Sequence, residues 1–484
     1  MITLHRSKNL AYVFVLVGSC LDNLNVAAAF TMSQSLQKQL DASSSQATWV
    51  VSSYALTLGS FIIVFGKLGD VCGLHKVFLA GLFAMALLSL ICAVIQHNIV
   101  PLIVFRALKG IAGAAVLPNA IGICGNYFQG PQLTRAIKLL MLATCGALGL
   151  GTILGGAFSQ TNIGYRAFFY FSFALSLTTA VALCFVVVPV ERTANHDLLS
   201  ARYLNYGGAI LLAGGLMMII AGLTEAGSSW RSPKVYVTIP VGFVVVLAVF
   251  LFESVLVKKY QSRKIEKTSY LSRLVVLFPP EVAQITNFVP FVAGLFLNNA
   301  GFTATITALL LYHEFVDEND AVLAAAKVFC IAAGIVVGAV VYSQKAADRL
   351  GNKTLLVVSA CVDLGSAVWV TRIDPNNKNS FWEFEFAPLL LYGWAINLFF
   401  QTFYHAMLSQ TPLHLQGNVT GIFQTVGQIG LCVGTAVASS IIGALDTASP
   451  PARELVHSRC VNALWFNVAC FAAELVLMLA SKNS

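Results

Sequence analysis

The chain has 484 residues, of which 57% are apolar and only 10% charged, and its mean hydropathy is +0.78. So few charges cannot clothe the surface of a water-soluble fold of this length, and the class that remains is a polytopic helical membrane protein. The formal net charge of +8 does not imply a nucleic-acid partner, because the basic residues fall in short segments between apolar runs, where they set orientation.

Apolar windows of about twenty residues predict the spanning helices in chain order. The first six are Leu10–Met32, Thr48–Leu68, Val77–Ile95, Ile99–Ile121, Ala136–Phe158 and Ala167–Val188. The run to Met32 is too long for a signal-peptide core, so it reads as the first span. It carries Asp22 at its middle, where an ionised carboxylate is costly unless it faces water, titrates or bonds to a neighbouring helix. Between the second and third spans lies Gly66–Lys76, GKLGDVCGLHK. Gly66 and Gly69 suit a sharp turn and close helix approach, and Asp70 a bond to the first amides of the next helix, with Gly73 and Lys76 completing the segment. The fourth span opens a charged stretch at Arg106 that includes Lys109, and a guanidinium there needs a carboxylate, an anionic substrate or a water-filled path. Asp22 is the acidic partner expected for it. In the fifth span Gly151, Thr152, Gly155 and Gly156 belong to a face of small residues fit for close packing or bending.

After a polar linker, Glu191 to Arg202, two further spans are expected at Leu204–Leu223 and Val235–Val257. A basic loop from Lys258 to Phe278 follows, and then six more spans: Ile285–Tyr312, Val322–Val341, Thr354–Val370, Ala387–Leu408, Val419–Leu445 and Val461–Ala480. Between the second and third of these, Asp348, Arg349, Gly351 and Lys353 repeat the order of the first hairpin. Two like hairpins in corresponding places imply two like halves. Asn298, Asn299, Gln401, His405 and Gln424 could line a central cavity in the second half, and each could equally bond one helix to another. The basic loop dominates the charge bias and places both termini in the cytoplasm. The sequons at Asn352 and Asn418 then face the cytoplasm and should carry no glycan. Eleven cysteines without a C-x-x-C pair suggest neither a disulfide framework nor a metal site.

These hairpins resemble the G-x-L-A-D-R-x-G-R-K loop of the major facilitator superfamily. Other stretches resemble its fourteen-helix drug:proton antiporters: Leu21 to Ala27 the L-D-x-T-I-V-N-V-A motif, Arg106 to Gly113 the R-x-x-Q-G-x-G motif with Lys109 at the Gln position, and Gly151 to Gly156 the G-P-x-L-G-G signature with Thr152 at the proline position. Leu117 to Ile121 followed by Gly125 resembles fungal members, which include multidrug pumps and low-affinity ammonium or borate transporters. The resemblance implies an all-α major facilitator fold of fourteen transmembrane helices. Residues 1–190 and 281–484 would form six-helix bundles, and 191–280 would hold an inserted pair and its linkers. Asp22 and Arg106 would take part in proton coupling, and the two hairpins in conformational switching.

Phosphate-cradling loops, nucleophile elbows and metal-spaced histidines are absent from the sequence, so an enzyme is not expected. The expected function is export of small amphipathic compounds in exchange for protons, by a monomer in the plasma or vacuolar membrane. Its partners would be a small-molecule substrate, protons and the bilayer, with no nucleic acid, cofactor or metal. Transport of a small polar solute such as ammonium or borate is the alternative, and a non-transporting membrane sensor is the alternative from another class.

Overall fold

The computed structural model describes residues 7–128, 131–186, 205–226, 232–257, 285–342, 349–411, 416–443, 445 and 452–482. The Glu191–Arg202 linker, the Lys258–Phe278 loop and Asp348 lie outside these residues, as does the side chain of Asp70.

The amino-terminal helices are α1 (Lys8–Thr31), α2 (Ser33–Leu40), α3 (Ser44–Cys72), α4 (Leu74–Val94), α5 (Ile99–Ala114), α6 (Leu117–Tyr127), α7 (Pro131–Ser159) and α8 (Tyr165–Val186). Two central helices follow, α9 (Tyr206–Ala226) and α10 (Pro233–Leu251), the latter running on into a wider turn over Phe252–Val257. The carboxyl-terminal helices are α11 (Phe288–Phe315), α12 (Ala321–Val328), α13 (Cys330–Val341), α14 (Asn352–Val370), α15 (Ala387–Gln410), α16 (Gln416–Ile442) and α17 (Arg453–Ala480). Among the described residues, twelve helical segments are long and apolar enough to cross a membrane. Shorter apolar stretches occupy Trp49–Ile62 of α3 and Tyr206–Ile219 of α9. The protein is an integral, multi-pass membrane protein of all-α architecture.

Two local features depart from a plain run of spans. The fourth span is broken between α5 and α6, because Pro118 has no amide to continue the ladder; Ala115 and Val116 instead close tight turns on Ala112 and Gly113. Between the first two spans, α2 forms a short surface helix, and α3 then starts on a reciprocal cap in which Ser43 and Gln46 each satisfy the other's backbone amide.

In the first half α1 packs on α7, α3 on α5, and α4 on α8. In the second half α11 packs on α16 and α17, α13 on α15, and α14 on α15 and α17. The halves meet along two seams, α3 against α16 and α7 against α12 and α13. Helix α9 lies across the first seam, touching both α3 and α16, and α10 packs on α9. Asn205 donates to Glu253 at 2.5 Å, a buried bond that ties the start of α9 to the end of α10. The outer face of α10 exposes Val237, Val241, Phe243, Val244, Leu247 and Phe250, a surface suited to lipid.

Both hairpins turn on glycine. Gly73 (φ +106°) joins α3 to α4 and Gly351 (φ +81°) precedes α14, backbone values that L side chains resist. A Cβ on Gly69 would fall 1.7 Å from Asn119 Oδ1, so Gly69 does hold α3 and α6 in close approach. Gly66 does not: its Cβ would keep an ordinary 3.5 Å from Pro118. Lys76 and Arg349 are exposed. Lys353 donates from Nζ to the Ser481 carbonyl at 2.5 Å, fastening the start of α14 to the end of α17.

Candidate functional site

Helix α1 organises the polar interior of the first half, because Asp22 and Asn25 stand one turn apart on one side of it and Asn23 on another. Asp22 is fully buried and accepts a hydrogen bond from the Tyr54 hydroxyl of α3 at 2.5 Å. Its second oxygen, Oδ2, has no partner among the described residues. Asn25, one turn on, accepts at Oδ1 from Lys109 Nζ of α5 at 2.5 Å and from Ser172 Oγ of α8 at 3.1 Å. Lys109 donates to Ser172 as well, at 3.1 Å, and Ser172 reaches Ser89 of α4 at 3.2 Å. This buried network therefore joins four helices.

Arg106 is also fully buried, yet no ion pair joins it to Asp22, contrary to expectation. Its Nε donates to the Val50 carbonyl at 3.0 Å and one terminal nitrogen to the Asn25 carbonyl at 3.2 Å. Its guanidinium carbon lies 4.7 Å from the centre of the Tyr54 ring. Tyr54 thus stands between the two charges: its hydroxyl holds the acid and its ring face the cation. Gly113 of α5 makes room for the pair, since a Cβ there would fall 2.6 Å from the Tyr54 hydroxyl and 2.9 Å from Asp22 Oδ1. Chemically, a buried carboxylate with one unpaired oxygen is a place for a proton, and two nearby cations balance it when the proton leaves.

Asn23 faces the other way, into a cavity of about 160 Å³ between the halves. Leu117 and Lys138 line it from the first half; Leu295, Asn299, Phe302, Gln401 and Gln424 are among the residues lining it from the second. Gln424 donates to the Tyr404 hydroxyl at 2.9 Å, whereas Asn397 Oδ1 and Gln428 Oε1, also in the lining, have no partner among the described residues. Lys138 sits over the Tyr342 ring at 5.5 Å. Such a wall offers aromatic faces, free acceptors and one cation.

Of the five residues expected to line a cavity, Asn299, Gln401 and Gln424 do so. Asn298 does not, because it turns to α17, where its amide donates to Glu474. Nor does His405, whose Nδ1 lies 3.4 Å from Asn352 Oδ1 beside the second hairpin. The polar residues Asn397 and Gln428 belong with the cavity as well, and their place in apolar runs was the available signal. Tyr54 and Ser172 gave none, since tyrosine and serine are unremarkable in an apolar run.

The glycine stretch of α7 is a seam. A Cβ on Gly151 would meet the Leu24 carbonyl at 2.8 Å, and one on Gly155 the Ala28 carbonyl at 2.6 Å, so both press α7 against α1. Thr31 of α1 donates to the Thr152 carbonyl at 3.0 Å across the same contact. Gly156 instead faces the other half, with its Cβ position 2.9 Å from the Ala321 carbonyl. Outside the spans, burial pushes the Asp317 carboxyl up, but hydrogen bonds from His313 and Lys327 outweigh it and hold it below the ordinary carboxylate range.

The Major Facilitator Superfamily family model matches residues 14–204 and 202–435. The chain is similar to the puromycin resistance protein pur8 of Streptomyces alboniger, 22% identical over 84% of this chain and 76% of that protein. It is also similar to the tetracenomycin C resistance and export protein of Streptomyces glaucescens, at 25% over 86% and 72%. The efflux pump terG of Aspergillus terreus is 24% identical over 89% of this chain and 78% of that protein. Paired helical halves about a shared cavity, glycine-turned hairpins and a family match over most of the length agree: this chain belongs to the Major Facilitator Superfamily.

Proposed function

We propose that this protein is a fourteen-helix, proton-coupled exporter of small amphipathic compounds, of the fungal drug:proton antiporter type. Residues 1–190 and 281–484 are its two bundles, and 191–280 carry the inserted pair. Both termini face the cytoplasm, and the protein works as a monomer in the plasma membrane, as a carrier and not an enzyme. The observation that carries this reading is the sharing of α1 by the buried acid and the cavity, through Asp22 and Asn23. A proton on Asp22 removes a charge from the α1–α3 contact, and a substrate in the cavity presses on the next residue of the same helix. Exchange follows when proton and substrate favour opposite states of that helix.

The cavity chemistry supports a planar or aromatic solute with hydrogen-bond donors, suited to Phe400, Tyr404 and Phe423 and to the free acceptors of Asn397 and Gln428. The names of the resistance and efflux relatives point the same way.

The test is reconstitution in liposomes with an imposed proton gradient and a panel of dyes, azoles, ammonium and borate. An amphipathic compound should move uphill, with protons moving the other way. Flux of ammonium or borate alone, indifferent to the gradient, would replace this reading with that of a small-solute carrier.

A further inference from the structure

The carboxyl-terminal helices bury two acids that the cavity does not use. Asp363 of α14 and Glu474 of α17 are both 0% exposed, on helices packed against each other, and neither lines the cavity. They lie within reach of each other's charge. Asn298 of α11 donates its amide to the two Glu474 oxygens at 3.2 and 3.4 Å. Neither oxygen of Asp363 has a hydrogen-bond partner among the described residues, and Asn298 Oδ1 has none either. The other titratable groups facing the pair are Tyr392 from α15 and Cys470 from α17; among the described residues no lysine, arginine or histidine faces it. The contrast with Asp22 is plain, because Arg106 and Lys109 are both within reach of that acid.

Two ionised carboxylates without a cation, out of water on helices packed against each other, carry both a desolvation cost and a mutual repulsion. A single proton removes one charge and with it the repulsion, and it turns one carboxylate oxygen into a donor. We propose that Asp363, Glu474 and Asn298 form a second proton-binding site, apart from the transport cavity, in which the two carboxyls share a proton. The proton is the cation that the donor set fits. A hard divalent ion takes six or more oxygens, which three side chains sealed among apolar helices do not supply. The site stands on buried geometry and not on the transport reading.

Infrared difference spectroscopy on the purified protein in lipid nanodiscs, titrated with pH in sodium-free buffer, tests this directly. The wild type should keep a protonated-carboxyl band at neutral pH that responds to both positions and is lost in the Asp363→Asn/Glu474→Gln double variant. Its two protons should leave in separate steps, and each single variant should show one step. A band unchanged in all three variants, or one displaced by sodium, would overturn the proposal. Should the double variant fail to fold, the single variants decide: a surviving acid that titrates as it does in the wild type would overturn it. Thermal stability adds a second reading. A proton held in the folded state but not in the unfolded one stabilises at low pH, and that stability is lost as pH rises. The wild-type midpoint should therefore fall as pH rises above the ordinary carboxylate range, and Glu474→Gln should flatten that fall.

Discussion

Lys109 stands where the superfamily motif has glutamine, and its surroundings say what the exchange does. Its ammonium bridges Asn25 and Ser172, a task that a glutamine amide could share. Lys109→Gln should therefore keep folding and most transport, whereas Lys109→Leu removes both of these hydrogen bonds and leaves Asn25 Oδ1 with Ser172 as its remaining donor. That loss should cost about 1–3 kcal/mol. Comparing thermal midpoints and transport rates of the two variants checks it, and equal loss in both would contradict the bridging role. At this scale charges were legible in the sequence and their partners were not. Asp22, Arg106 and Lys109 stand out in apolar runs because such placement is costly. The expected Asp22–Arg106 contact failed because Tyr54, from a helix whose register no sequence pattern reveals, inserts its hydroxyl and ring between them.

Among the elements, α7 sets how closely the first helix and the second half can approach. Gly155 has the Ala28 backbone within 2.6 Å of where a Cβ would lie, and backbone cannot turn aside. Gly146, on the same helix, has nothing within 4 Å. Gly155→Leu should accordingly lose folded protein, by overpacking worth about 1–3 kcal/mol or more, while Gly146→Leu should be tolerated. Yields of monodisperse protein from a detergent extract distinguish the two, and equal yields would contradict the seam. The long apolar helices and the glycine hairpins were legible because twenty-residue windows and repeated Gly and Asp positions are conspicuous. Helix α2 was not, since an eight-residue surface helix gives no spanning signal. The α5–α6 break could have been read from Pro118, which a hydropathy window passes over.

At the scale of the whole molecule, the cavity lies toward the end that carries both hairpins. At that end the imidazole Nε2 of His75 lies 2.6 Å from the Tyr127 hydroxyl, which brings the start of α4 to the end of α6; Asn287 and Lys482 bring the start of α11 to the end of α17. The lining residues Lys138, Leu295, Tyr404 and Phe423 come from the stretches of α7, α11, α15 and α16 nearest that end. Toward the opposite end, Gly156 brings α7 onto Ala321 and closes the seam between the halves. Under the proposed coupling the hairpin end and the opposite end open in turn, with the charge on Asp22 biasing which one does. The measurement that bears most directly on this account is transport by Asp22→Asn in liposomes, with gradient-driven uphill movement and substrate counterflow followed in parallel. Asparagine is close in shape to the protonated acid, so the variant should insert, fold and keep counterflow while losing uphill movement. Uphill transport by Asp22→Asn at the wild-type rate across the pH range would contradict the account and reduce Asp22 to a packing residue.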